Sequence, residues 1–138
     1  MADEPKQLVV DASVFVDLLA GTELADAARA ALRGVVLHAP AHLDAEVLSA
    51  LGRLERADRL DATQGTRGVQ ALSEAPVTRH LLHELVPDAW RRRTALRLSD
   101  ALYVALAERL SLPLLTSDAR LARGHAGAVD LASFEGRK

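Results

Sequence analysis

The stretch QLVVDASVFVD, residues 7–17, decides how the rest of the chain is read. Leu8, Val9 and Val10 form a short apolar, β-branched run that stops on a carboxylate, Asp11. Ser13 is placed to cap the following helix, VFVDLLA, and Gly21 to end it. With Ser13 as the cap, Asp11 has no local duty, whereas Asp17 reads as a surface acid of that helix.

Outward from this unit, strand-like and helix-like segments alternate. Thr22 and Glu23 open a second helix whose Leu24, Ala28, Ala31 and Leu32 recur at i, i+4, i+7 and i+8, and Gly34 closes it. Residues 35–37 predict a second strand, cut by Pro40. A long helix over 41–57 carries Leu43, Val47, Leu51 and Leu54 on one face, with Arg53, Arg56 and Arg59 outside it. Asp61 begins another helix, weakened by Gly65 and Gly68, and residues 77–82 read as a third strand. Pro87 suits the first turn of a helix running through Trp90 towards Leu96. Ser99 caps DALYVALAERL, residues 114–116 form a fourth strand, and a short helix with a strand at 128–131 completes the chain. This order predicts an α/β/α sandwich around a mostly parallel sheet, in which ligands sit beyond the carboxyl ends of the strands. With no linker or repeat, residues 1–138 read as one domain.

Composition narrows the function classes. The chain has no Cys, which excludes disulfides and thiolate metal sites. Its opening MADEPKQ is polar and acidic where a secretory leader would be basic, and no apolar run is long enough to cross a bilayer, so the expectation is a cytoplasmic protein without a membrane partner. Net charge is −2, but residues 1–69 carry 7 basic and 11 acidic groups, whereas residues 70–138 carry 10 and 8. A nucleic-acid contact would therefore need a local basic patch, and the later half offers one. Aromatic side chains are only Phe15, Trp90, Tyr103 and Phe134, too few for a base-stacking platform.

Four acids share one placement. Asp11 and Asp118 each follow a strand, Glu46 lies early in the 41–57 helix, and Asp100 opens the apolar helix after Ser99. Each has an ordinary explanation in capping or in the helix dipole. Asp44 rivals Glu46 but faces another side of the helix. Together, the four are brought by an α/β/α fold to one sheet edge. Two carboxylates about 5 Å apart repel by roughly 3 kcal/mol at an effective dielectric near 20, so such a cluster calls for a cation or for raised pKa values. All-oxygen ligands favour Mg²⁺ or Mn²⁺ over zinc, and such ions serve phosphodiester chemistry with a metal-activated water.

The segments VVDASVFVDLLAG (9–21), HAPAHLDAEVLSALGRL (38–54), PVTRHLLHELVPDAW (76–90), SDALYVALAERL (99–110) and PLLTSDARLAR (113–123) together resemble the PIN-domain nucleases, and within them the VapC-type toxins of toxin–antitoxin pairs. The resemblance implies a three-layer PIN sandwich with a sheet of about five strands. It implies that Asp11, Glu46, Asp100 and Asp118 are the catalytic, metal-binding acids, with Thr116 orienting a carboxylate, and Ser13 doing likewise or serving as a helix cap alone. It further implies a Mg²⁺-dependent endoribonuclease (Mn²⁺ being the alternative ion) that is neutralised by a VapB-type antitoxin. Such toxins form homodimers or hetero-oligomers with the antitoxin, and meet DNA only through it. Arg91, Arg92, Arg93 and Arg97, with Arg79, His80 and His83 upstream, are candidates to grip RNA phosphates, against the plain reading of a solvated helix face. His42 could be offered as a general base, although a first-turn histidine is more often incidental.

Two other functions compete. One is a PIN nuclease of RNA maturation outside any toxin pair. The other is a receiver-like phosphorylation module, which expects paired acids after the first strand and a late lysine. The only lysines here are Lys6 and Lys138.

Overall fold

The computed structural model describes residue 4 and residues 6–134. The single-domain reading of 1–138 extends beyond the described residues at both ends. Along the chain run β1 (Gln7–Val10), α1 (Ala12–Ala20), α2 (Ala25–Leu32), β2 (Val36–Pro40), α3 (Leu43–Arg56), α4 (Ala62–Glu74) and β3 (Val77–His80). They are followed by α5 (Val86–Arg91), α6 (Leu98–Leu110), β4 (Leu114–Thr116), α7 (Ala119–Gly124), β5 (Ala128–Asp130) and a 3₁₀ turn (Leu131–Phe134).

The five strands form one sheet in the order β3-β2-β1-β4-β5, and every pairing is parallel. β1 is central: Val9 and Val10 are fully buried, as expected of a strand covered on both faces. The direction of travel reverses after β3, because the chain returns past β1 to place β4 on its other side. With right-handed crossovers, that reversal puts the helices joining β1 to β3 on one face and those joining β3 to β5 on the other. Accordingly α1, α3 and α4 pack on one another, while α5 packs on α6, which lies against β1, β2 and β4. The expected three-layer fold is the observed one, with a wholly parallel sheet.

α6 is buried around most of its circumference, at Ala101, Tyr103, Val104, Ala105, Leu106 and Ala107. Gly65 and Gly68, expected to weaken α4, instead lie buried within a continuous helix that packs on α1 and α3. Gly21 takes a left-handed conformation (φ 68°) and its N–H closes α1 on the Asp17 carbonyl.

Four local expectations are corrected. Asp11, not Ser13, is the N-cap of α1, its side chain accepting from the Ser13 N–H. α6 begins at Leu98 with Arg97 as N-cap, so Ser99 lies inside the helix and its hydroxyl is free to bond elsewhere. α5 stops at Arg91 rather than near Leu96, and the chain then turns to enter α6; Arg92 there bonds Asp88 and Glu108. β3 likewise ends at His80, and Leu81 beyond it is exposed.

Leu106, 1 % exposed, sits where α6 meets the sheet. Leu106→Ala is expected to lower unfolding free energy by about 2–5 kcal/mol in urea titration, with an unchanged denaturant slope.

Candidate active site

The reversal between β1 and β4 is a topological switch point, and the residues just beyond those two strands face a common opening. An open cleft of about 410 Å³ lies there, lined among others by Asp11, Glu46, Asp100 and Asp118. All four acids selected from the sequence therefore line one cleft. Asp44 does not; it turns to Arg79, which binds both of its oxygens at 2.8 Å and also donates to the Leu72 carbonyl.

Asp11 is held most tightly. It is 6 % exposed, and its Oδ2 accepts from Ser13 Oγ at 2.5 Å and from the fully buried Thr116 Oγ1 at 3.0 Å. Ser13 Oγ in turn accepts the Ser117 N–H at 3.0 Å, and Thr116 Oγ1 the Asp118 N–H at 3.0 Å. These two hydroxyls stitch the end of β1 to the end of β4. Burial pushes the Asp11 carboxyl above its ordinary range, the bonds from Ser13 and Thr116 oppose this, and the nearby Asp100 and Glu46 charges add to the rise.

Glu46 is clamped at both oxygens. Tyr103 donates its hydroxyl to Oε1 at 2.6 Å, and Ser99 donates to Oε2 at 2.5 Å. His42 Nε2 stands 3.3 Å from Oε1 and 3.2 Å from the Ser99 carbonyl, with its ring stacked obliquely on Tyr103. Its Nδ1 is buried without a hydrogen-bond partner among the described residues. Burial and the Glu46 carboxylate push the Tyr103 hydroxyl up, so it remains a donor.

Asp100 and Asp118 share a cation. Arg97 Nε lies 3.5 Å from Asp100 Oδ2 and Nη2 3.5 Å from Asp118 Oδ2. Burial raises the Asp100 pKa; Arg97 opposes this, and Asp118 and Glu46 reinforce it. Asp118 also caps α7, accepting the Arg120 N–H at 2.9 Å and the Leu121 N–H at 3.4 Å.

Several lining residues carried weak or misleading sequence signals. Ser99 reads as a helix cap and Tyr103 as part of a core helix, and neither reading points at Glu46. Asp17 is not a surface acid: it lines the cleft, with Oδ1 accepting from Thr22 Oγ1 and Oδ2 buried without a hydrogen-bond partner among the described residues. Arg53, assigned to the outside of α3, lines the cleft as well. Of the arginine cluster, Arg97 alone lines it. Arg91 and Arg92 bind Asp88, Arg92 also binds Glu108, and Arg93 lies over Trp90.

The donor set is entirely oxygen and negatively charged, which fits a hard divalent cation. Among the described residues no group of three His, Cys or acidic side chains is already drawn close enough to hold one. The acids line an open cleft, two of them with pKa values raised by burial, in which Arg97 contributes positive charge.

Because folded Asp11 keeps its proton to a higher pH than the unfolded chain does, the fold loses stability as pH rises from the ordinary carboxylate range through the Asp11 pKa. Asp11→Asn removes that loss. Without divalent cations the variant is expected to melt above the native protein at pH 7, with the gap narrowing as pH falls towards 4. A melting temperature at or below the native value across that range would show that burial of this charge does not oppose folding.

Comparisons with known proteins place the fold in a family. The PIN domain family matches residues 8–125. Ribonuclease VapC3 of Mycobacterium tuberculosis is 54% identical over 120 residues, spanning 86% of this chain and 88% of the relative. Among solved structures, PAE2754 from Pyrobaculum aerophilum superposes with a TM-score of 0.69 at 27% identity, covering 96% of this chain and 88% of the other. A toxin–antitoxin complex from Klebsiella pneumoniae, at TM-score 0.64 and 21% identity, covers 90% and 97% and shares the fold. The chain thus belongs to the PIN domain family, in its VapC-type branch.

Proposed function

We propose that this protein is a divalent-cation-dependent endoribonuclease, acting as the toxin of a toxin–antitoxin pair. The observation that carries the reading is the convergence of Asp11, Glu46, Asp100 and Asp118 in one cleft, in a chain 54% identical to a ribonuclease. These four side chains would hold the cation, with Mg²⁺ the leading candidate and Mn²⁺ the alternative. When bound, the cation supplies activation of water and stabilisation of negative charge developing on a phosphodiester.

The chain's own groups prepare that site. Ser13 and Thr116 fix the orientation of Asp11, and the donors Tyr103 and Ser99 fix both oxygens of Glu46, so neither carboxylate has to be ordered when the ligand arrives. Arg97 balances Asp100 and Asp118, and of the four clustered arginines it is the one beside the acids and thus the one to meet RNA. The same acidity suits a cationic side chain of a VapB-type antitoxin as occupant, and the VapC-type assignment supports such a partner. Homodimers, or hetero-oligomers with the antitoxin, are the proposed assemblies, with DNA met only through the antitoxin. No helix among the described residues is long and apolar enough to cross a membrane.

The test is purified protein with Mg²⁺ or Mn²⁺ on total RNA. Cleavage is expected to vanish with EDTA and to fall about 100-fold or more in Asp11→Asn and Asp100→Asn, the scale of losing several kcal/mol of charge stabilisation. Variants that cleave as well as the native protein would remove the assignment. Growth arrest on induction, relieved by a co-expressed upstream antitoxin gene, separates a toxin from a nuclease of RNA maturation.

Arg97 also competes with the cation. Arg97→Gln is expected to bind Mn²⁺ about fivefold more tightly in calorimetry, the partly screened worth of one positive charge near two of the ligands. Equal or weaker binding would show that Arg97 does not oppose the ion.

A further inference from the structure

Among the described residues two cations line the cleft, and they differ in state. Arg97 is engaged by Asp100 and Asp118. Arg53 is exposed and its guanidinium, among the described residues, has no hydrogen-bond or ion-pair partner, not even Asp17, which lines the same cleft. A guanidinium is always charged and offers five donors in a planar fork, a shape matched to phosphate. Its place in the last turn of α3 is favoured by the helix dipole, but Arg56 occupies that turn too without lining the cleft.

The spacing supplies the function. Glu46, Ala50 and Arg53 stand at i, i+4 and i+7, so one face of α3 carries a ligand-type acid, a small apolar residue and a free cation in line. At 1.5 Å per residue, Arg53 is about 10 Å along the axis from Glu46, within reach of a nucleotide or two of extended strand. Between them Val16 of α1 and Ala50 give the cleft an apolar wall. An acidic cleft repels a polyanion everywhere except at bound cations, so the strand needs an anchor away from the reacting phosphate. From this juxtaposition we infer that Arg53 grips a backbone phosphate of single-stranded RNA flanking the one that is cleaved. The inference rests on the RNA-cleaving reading of the same cleft.

A contact to a phosphate that does not react holds substrate and transition state alike, so it acts through KM and leaves kcat unchanged. The experiment is steady-state cleavage of a labelled single-stranded RNA at saturating Mn²⁺ over a series of salt concentrations. Arg53→Gln is expected to raise KM about tenfold, to keep kcat within about twofold, and to make the log–log dependence of kcat/KM on salt shallower by about 0.7, the share of one phosphate contact on a single strand. Arg53→Lys restores the salt slope, because one ammonium charge suffices for counterion release. Arg29→Gln, which breaks an exposed pair with Asp26 on α2, keeps the native slope. The melting-temperature rise on adding Mn²⁺ is measured for each variant and matches the native protein if the metal site is intact.

Native KM and native salt slope in Arg53→Gln overturn the inference while leaving the nuclease reading standing. So does a variant that loses only its binding to a protein partner. A native protein that cleaves no RNA with either metal overturns the nuclease reading and this inference with it.

Discussion

The Asp11 carboxylate, buried at the end of the central strand and bonded to Ser13 and Thr116, is the constraint on which the site depends. A charged group is costly to bury, and two hydroxyl donors offset only part of the penalty. Those donors come from α1 and β4, so satisfying Asp11 ties the start of one helix to the end of a strand 105 residues away. The sheet order makes that tie possible, since β1 and β4 are neighbours only because the chain doubles back after β3. The fold thus holds like charges together that would separate in a free chain, and the pKa values of Asp11 and Asp100 are raised first by burial and then by these neighbouring acids.

α6 couples this field to the core. It is buried around most of its circumference, which makes it rigid, and three of its first six residues, Ser99, Asp100 and Tyr103, reach the acidic cluster. Tyr103 serves both purposes, with its ring in the core and its hydroxyl on Glu46. Precision at the cleft is therefore borrowed from hydrophobic packing, and the carboxylates are oriented by groups that have little freedom to move.

The arginines divide by what they touch. Arg79, Arg91 and Arg92 are committed to acids, and Arg79 also to backbone carbonyls, so they hold elements together. Arg53 and Arg97 line the cleft, at different distances from the acids along the helices that carry them. Local density of positive charge in the sequence does not separate these groups, because partners such as Asp88, Glu108 and Asp44 lie on other turns or other helices.

The alternation of short β-branched runs with 3.6-periodic helices, the absence of Cys and the four acids at strand and helix ends were legible in the sequence, and they determined the fold class and four of the carboxylates that meet. These features are local: they depend on side-chain periodicity and on residues within one element. Tertiary structure alone decided that Ser99 and Tyr103 clamp Glu46 across 53 and 57 residues, and that Asp17 and Arg53 face the cleft. It also decided that Asp11, the cap of its helix, points into the cleft, and that α5 stops early. A hydroxyl or a guanidinium has many possible partners and no periodic signature, so its direction is fixed only when distant elements pack and leave one partner within reach.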